Sequence, residues 1–162
     1  MAVRDILIFG VVLFAISIGF FIINFGMNTA IDSMIGNSAI NSSNSTVTAL
    51  QATQNNALNR LDLLVGGLFI GLILSLIITS WFIGGNPLFI FIYFIVIIIG
   101  VVVGAFLSNV WETMTGLAVF GSTITHFSVA NNIMLNLPIY IAIAGFIGII
   151  IMFAKPMMTS EY

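Results

Sequence analysis

Four long apolar segments without a charged side chain constrain the fold of this chain more than any other feature. They cover residues 6–27, 63–83, 87–109 and 137–154. Each has roughly the 17–25 residues that a helix needs to cross ~30 Å of hydrocarbon. A charge-free segment of that length is typical of a membrane helix and not of a soluble core element. The sequence therefore predicts an all-α, polytopic integral membrane protein with four transmembrane helices.

The composition agrees with this prediction and indicates a single membrane domain over residues 1–162. Hydrophobic residues make up 60% of the chain and charged residues 5%, whereas ~25% charged residues are usual in soluble domains. The formal net charge of -2 gives no indication of a nucleic-acid partner. The absence of cysteine excludes disulfides and thiolate metal sites. The first segment exceeds the about 7–15 apolar residues of a secretory signal, so we expect an uncleaved helix.

The residues between the second and third segments predict a tight hairpin. Gly84, Gly85 and Asn86 are followed at once by Pro87. Proline suits the first turn of a new helix because its missing N–H would be unpaired there in any case. We therefore expect the second and third helices to be antiparallel neighbours.

Basic and aromatic residues predict how the chain is oriented in the membrane. An even number of spans puts both termini on one side, together with Arg4 and Lys155, while Arg60 lies on the other. Because Lys and Arg are enriched in cytoplasmic loops, we expect both termini to face the cytoplasm or its topological equivalent. Amphipathic aromatic rings collect at membrane interfaces. The predicted interface anchors are Trp81, Tyr93, Trp111 and Tyr140.

Small residues recur four positions apart on three of the predicted spans. Such pairs allow two helices to approach each other closely. The predicted helix-packing residues are Ala15 and Gly19 on the first span, Gly67 and Gly71 on the second, and Gly100 and Gly104 on the third.

Two loops, residues 28–62 and 110–136, hold the side chains that we expect to contact a partner. In the first loop, apolar residues recur three and four apart after an Asn- and Ser-rich tip, which predicts a helical extension of the second span. The second loop is apolar enough to lie in the interface or against the bundle, as a short amphipathic helix or a re-entrant segment. The candidate contact residues are Val47, Leu50 and Leu58 in the first loop and Glu112 and His126 in the second.

The chain lacks the motifs and charged residues on which most membrane chemistry depends. It has no phosphate-binding loop, dinucleotide-binding glycine motif, zinc-protease motif or nucleophile elbow. Glu112 and His126 are too few ligands for a zinc site. The spans hold no Asp, Glu, Lys, Arg or His, the residues that transporters use for ions and protons. We therefore predict a non-enzymatic protein without a cofactor, a metal or a small-molecule substrate.

Asn24 is the most costly polar side chain within the predicted spans. Ser and Thr hydroxyls commonly bond back to the carbonyl groups of their own helix. A primary amide has more donors and acceptors to satisfy in an apolar environment. We therefore expect Asn24 to find a partner in a neighbouring helix.

Three short segments and the Asn- and Ser-rich first loop carry a resemblance to a known group of proteins. The segments are FLSNVWE at residues 106–112, NIMLNLP at 132–138 and FAKP at 153–156. With these features the chain resembles small membrane proteins of tailless icosahedral viruses that have an internal lipid membrane. The resemblance implies a structural component of a virion membrane that touches the capsid, and it carries no catalytic residues.

The residues favour a structural or assembly role in a host membrane or a virion internal membrane. The expected partners are the lipid bilayer and capsid or other membrane proteins, in a homo- or hetero-oligomer. One alternative is a holin-like or channel-forming oligomer. Another is an accessory subunit of a larger membrane enzyme complex. In the channel alternative the lumen would be lined by Ser75, Thr79, Ser80 and Ser108.

Overall fold

The computed structural model describes residues 2–83 and 87–159, and this part of the chain is helical without a β-strand. Long helices alternate with short ones, and all the short ones lie in the two predicted loops. The elements in chain order are α1 (Ala2–Ile35), α2 (Ser38–Asn41), α3 (Asn44–Ile83), α4 (Pro87–Thr115), a 3-10 turn (Ala118–Phe120), α5 (Gly121–Ile124), α6 (Ser128–Leu135) and α7 (Leu137–Thr159).

Four of these helices are long and apolar enough to cross a membrane, which confirms the predicted all-α fold class at this level. Their apolar side chains are largely exposed, as Phe82, Val102 and Phe106 illustrate. In water such a surface would be unfavourable, whereas in hydrocarbon it is compatible with a membrane protein. The apolar stretches are Gly10–Ile35, Asn44–Phe82, Leu88–Thr115 and Leu137–Ala154.

The long helices form a bundle in which α1 and α7 each contact both α3 and α4. The extensive contacts of α3 are with α1, α7 and α6, and those of α4 are with α7, α1 and α6. The predicted turn at residues 84–86 lies outside the described residues. Pairing of the second and third spans through this turn therefore stays a prediction. The described contacts connect α3 and α4 mainly through α1, α6 and α7, with a direct hydrogen bond between Ser80 and Tyr93.

The seam between α4 and α7 is tight because glycines replace side chains along it. A Cβ on Gly145 would lie 2.6 Å from Cγ1 of Ile97, and one on Gly104 would lie 3.3 Å from Cα of Pro138. A Cβ on Gly148 would meet the hydroxyl group of Tyr93. This seam has no room for even one added methyl group at these positions.

The helices continue well into the segment that the sequence predicts as the first loop. Helix α1 ends at Ile35 and α3 begins at Asn44, so the structure differs from a loop that spans residues 28–62. Hydroxyl groups in these extensions bond back to their own helix, since Thr29 donates to the carbonyl of Phe25 and Thr53 to that of Ala49, each at 2.9 Å. The polar side chains of this segment therefore lie on the surfaces of helices and do not mark where the helices end.

We call residues 28–61 the outer hairpin, because α1 and α3 there run beside each other toward α2. The Gln54 Nε2 donates to Asn28 Oδ1 at 2.6 Å and joins the two helices. The 34 residues of α1 and 40 of α3 correspond to about 51 and 60 Å at 1.5 Å per residue. Both lengths exceed the ~30 Å of a hydrocarbon core, so each of these two helices is longer than one hydrocarbon core is thick.

The second loop packs onto the same end of the bundle from which the outer hairpin extends. Helix α4 runs to Thr115, further than the predicted end at residue 109, and α6 contributes the buried residues Ala130, Ile133 and Met134. These side chains join Leu13, Phe21 and other residues in one hydrophobic cluster. Several apolar residues of this loop therefore belong to the hydrophobic core, as expected for a segment that lies against the bundle.

Candidate functional site

Asp62 links α3 to the beginning of α6. Its side chain is 5% exposed. Its Oδ1 accepts from the backbone N–H of Ala130 at 2.7 Å, and its Oδ2 accepts from that of Val129 at 3.0 Å. The residue before α6, Phe127, makes no side-chain cap. Asp62 therefore satisfies N–H groups that the helix itself leaves unpaired, and its negative charge suits a helix N-terminus.

Sequence reasoning missed this role of Asp62. The carboxylate and the two N–H groups are separated by 67 and 68 positions in the chain. Capping patterns in sequence report a polar side chain at the helix end itself, and Phe127 cannot act in that way. No local signal therefore pointed to the interaction.

An aromatic cluster at the same level fixes α1 to α4 and to the second loop. The ring of Phe21 lies edge-on to three others, with centroid distances of 5.5 Å to Trp111, 5.2 Å to Phe120 and 5.8 Å to Phe127. Phe25 adds a contact to Phe120 at 4.9 Å. Such pairs contribute about 0.5–1.5 kcal/mol each beyond the area that they bury. The cluster therefore joins three parts of the chain at one point.

Hydrogen bonds from neighbouring helices fix the rest of α6. The indole Nε1 of Trp111 donates to Asn131 Oδ1 at 2.9 Å. Ser108 Oγ donates to the carbonyl oxygen of Leu135 at 2.7 Å, at the C-terminal end of α6. With Asp62 at the other end, both termini of this eight-residue helix are bound by side chains of other helices. A helix this short gains most of its stability from such tertiary contacts.

Three buried polar side chains have no hydrogen-bond partner among the described residues. They are Ser17, Asn24 and Thr123, each 0% exposed. Asn24 leaves both Nδ2 and Oδ1 unpaired, so the expected partner in a neighbouring helix is not found in the described part of the chain. A buried donor or acceptor in this condition costs about 1–3 kcal/mol. The face of α1 that points into the bundle is therefore not optimised for stability.

Two of the four predicted interface anchors lie inside the protein. Trp111 is 0% exposed and Tyr93 is 2% exposed. The hydroxyl groups of Tyr93 and Ser80 share a hydrogen bond at 3.2 Å. Trp81 is 43% exposed, and the partly exposed Tyr140 packs edge-on against Phe69 at 5.1 Å. Tyr93 and Trp111 therefore take part in packing and hydrogen bonding within the protein, and their depth in a membrane stays a prediction.

The predicted partner contacts are divided between the outer hairpin and the second loop. Val47 and Leu50 are half-buried on the same stripe as Gln54, and Gln54 faces Asn28 of α1. The stripe therefore points largely toward α1. The side chain of Leu58 lies outside the described residues. Glu112 is exposed and His126 is partly exposed, and no hydrogen bond joins these two in the described part of the chain.

The predicted helix-packing residues fall into two environments. Gly104 lies against Pro138 and Ile141 of α7, and Gly100 is buried. A Cβ on Gly19, Gly67 or Gly71 would instead meet open space, and Ala15 is exposed. The small residues of α4 therefore face a neighbouring helix, while those of α1 and α3 are available to lipid or to another molecule.

Three of the four hydroxyl groups considered for a channel, those of Thr79, Ser80 and Ser108, are hydrogen-bonded within the chain. Thr79 donates to the carbonyl of Ser75 at 2.7 Å, and Ser80 donates to that of Leu76 at 2.8 Å. Ser108 bonds to α6, as described above. In the described residues no group of three or more His, Asp or Glu side chains forms a metal-binding cluster.

These features define a class of protein. Over the described residues it is all-helical, with four helices long and apolar enough to cross a membrane and a packed loop region at one end. No family model matches this chain, and the comparisons with curated proteins and with solved structures found no match.

Proposed function

We propose that this protein is a non-enzymatic structural or assembly component of a membrane that holds the outer hairpin toward partner proteins. The observation that supports this proposal is the attachment of the hairpin to the bundle. Residues 44–61 of α3 extend about 27 Å at 1.5 Å per residue from the level of Asp62, where α3 is bound to α6. A helix held at its base in this way presents its far end at a defined distance from the membrane.

The surface of the outer hairpin suits a protein partner. Its exposed side chains are mostly uncharged and polar, with Gln51, Asn55 and Asn56 among them, and Asp32 is an exposed acid. Side-chain amides offer both donors and acceptors, and hydrogen bonds together with trapped water are common in protein interfaces. A neutral polar surface gives specificity without strong attraction to nucleic acid or to ions.

The resemblance to membrane proteins of tailless icosahedral viruses supports a more specific form of the proposal. In this form the protein belongs to a virion internal membrane, packs there in many copies, and contacts the capsid shell through the outer hairpin and the second loop. Both termini then face the side opposite the capsid, in accord with Arg4 and Lys155 near the ends of the chain. The second and third spans are joined by a tight turn.

Co-purification tests the proposal at the level of the whole particle. The protein is extracted gently from its native source, and its companions are determined by mass spectrometry and sizing. We expect capsid or other structural membrane proteins together with lipid in a large assembly. A homo-oligomer that permeabilises liposomes would favour the channel alternative, and a cofactor-bearing enzyme as companion would favour an accessory subunit.

Site-specific cross-linking tests the hairpin itself. The chain has no cysteine, so one introduced cysteine provides a unique attachment point for a photo-cross-linker. We expect Ala39→Cys at the exposed tip to form a discrete adduct with a partner protein in the native membrane. Val102→Cys, on the 65% exposed apolar surface of α4, is the matched control and should not form that adduct. Monomer alone at both positions contradicts the proposal.

A further inference from the structure

An open apolar groove runs along the face of α3 that is turned away from the bundle. It is lined mainly by Leu63, Leu64, Gly67, Leu68 and Gly71. Leu63 and Leu64 are 66% and 53% exposed, and a Cβ on either glycine would meet nothing within 4 Å. Because the glycines have no side chains, the backbone of α3 forms the floor of the groove, and the leucine side chains form its walls.

A single cation stands at the mouth of this groove. Arg60 lines the same groove and is exposed. It lies three residues before the charge-free segment that begins at Leu63, a distance of about 4.5 Å along a helix axis. An arginine at that level is positioned where lipid phosphate groups meet the hydrocarbon.

The nearest acid in the sequence does not neutralise this arginine. Asp62 follows Arg60 by two positions, but its carboxylate is buried on the opposite side of α3 and accepts from Val129 and Ala130. In the described part of the chain Arg60 has no ion-pair partner. The guanidinium therefore offers its donors to an external anion, and its fork geometry suits a phosphate group.

We propose that this groove binds one phospholipid of net negative charge, with the phosphate on Arg60 and an acyl chain along Gly67 and Gly71. Arg60 at one end of the groove matches the negatively charged headgroup of such a lipid, and the apolar groove beyond it matches an acyl chain. The inference rests on the proposed membrane location of the protein. It does not depend on the identity of its protein partner.

A second copy of the chain fits this groove less well. In a two-fold symmetric contact each face meets its own copy, which would bring two Arg60 side chains together at one end. Because Asp62 is turned inward on each copy, this face supplies no acid to separate them. An anionic lipid removes the repulsion that a symmetric contact would create.

Lipid titration of the purified full-length protein tests the proposal. In mild detergent, native mass spectrometry measures the binding of phosphatidylglycerol and of phosphatidylcholine with identical acyl chains. We expect the wild-type protein to bind phosphatidylglycerol about tenfold more tightly, a difference of about 1.4 kcal/mol. Arg60→Gln should abolish this preference, and Arg60→Lys should keep part of it because the charge remains.

Substitutions that fill the groove with a larger side chain separately test where the acyl chain binds. Gly67→Leu should weaken the binding of both lipids about tenfold, and Gly71→Leu serves as a second variant of the same kind. Gly19→Leu, at another open glycine but on α1, is the matched control and should bind as the wild type does. Circular dichroism and thermal unfolding in the same detergent establish that each variant is folded.

Several results would overturn the proposal. If Arg60→Gln still preferred phosphatidylglycerol over phosphatidylcholine as the wild type does, Arg60 would not be the site that binds the phosphate. If Gly67→Leu bound lipid as tightly as Gly19→Leu does, the acyl chain would not lie in this groove. A wild-type dimer that Gly67→Leu converts to a monomer, without selective lipid binding, would assign the groove to a second copy. Loss of protein partners in the co-purification experiment leaves these measurements unaffected, so the two proposals fail separately.

Discussion

The two sides of α3 differ sharply although adjacent residues form them. A Cβ on Gly66 would lie 3.0 Å from Cγ1 of Val129, whereas one on Gly67 would meet nothing within 4 Å. Asp62 is buried against α6, and Arg60, two positions earlier, is exposed. One side is therefore closed by protein contacts, and the other is left for lipid or a partner.

The same contrast separates the glycine-containing surfaces of the bundle. On α7, Gly145 and Gly148 lie directly against side chains of α3 and α4. On α3, Gly67 and Gly71 have the four-residue spacing of a helix-packing motif but face open space. The spacing allows a close approach, and only the neighbouring elements decide whether that approach occurs. Four substitutions test the contrast, and they are ordered here by expected effect.

Removal of the Asp62 carboxylate should have the largest effect. Asp62→Ala leaves the N–H groups of Val129 and Ala130 without their acceptor. We expect a loss of about 3 kcal/mol in the free energy of unfolding, because each buried donor costs ~1–3 kcal/mol. Reversible unfolding in mixed micelles, followed by circular dichroism, measures this loss. Asp32→Ala on the exposed face of the outer hairpin is the control, and an equal effect of both variants would contradict the role of Asp62 as a cap.

A methyl group in the closed seam should have the next largest effect. In Gly148→Ala the new Cβ meets the hydroxyl groups of Tyr93 and Ser80, so either α7 moves outward or the hydrogen bond between these groups breaks. We expect a loss of about 2 kcal/mol, in the range of overpacked cores. Thermal unfolding in the same detergent measures it. An unchanged melting temperature would show that the seam is looser than its glycine contacts indicate.

Replacement of the unpaired amide on α1 should stabilise the protein. Asn24 is fully buried with its amide nitrogen and oxygen unpaired. Asn24→Leu removes these two polar atoms and introduces an apolar side chain with the same branched shape and number of heavy atoms. We expect a gain of about 1–2 kcal/mol in unfolding free energy. Asn28→Leu is the control and should destabilise, because Asn28 accepts from Gln54. A loss of stability in Asn24→Leu would indicate that the amide is paired in the folded protein.

Substitution on the open side of α3 should have the smallest effect and the opposite sign to that in the seam. Gly71→Ala adds a methyl group where nothing lies within 4 Å. Since alanine is favoured over glycine inside a helix by roughly 0.5–1 kcal/mol, we expect a gain of that size in the same unfolding assay. A destabilisation as large as that of Gly148→Ala would remove the distinction between the two surfaces.

Much of the helical architecture is predictable from local sequence. Charge-free segments of membrane length became four long helices, and the last predicted segment coincides with the apolar stretch Leu137–Ala154. The helical stripe after the loop tip became the first part of α3. The Asn- and Ser-rich composition obscured how far α1 continues, because side chains such as Thr29 and Ser33 bond back to their own helix and do not end it.

The candidate site was much less predictable. Trp111 was expected at a membrane interface on the basis of its residue type and its place after the third span. Its burial depends on Phe21 from α1 and Asn131 from α6, which lie far from it in the chain. Amphipathic rings suit interfaces and buried hydrogen-bonded positions equally well, so local sequence does not separate the two.

By itself, the sequence determined that this chain forms long apolar helices, because the cost of exposing backbone polar groups and the gain from apolar side chains are properties of each segment alone. The tertiary structure decided which side of α3 is closed, where Asp62 finds its N–H partners, and that α3 and α4 are connected mainly through α1, α6 and α7. The physical reason is that packing and capping depend on atoms supplied by distant parts of the chain. Neighbours such as Gly66 and Gly67 acquire opposite roles only when α6 lies against one of them.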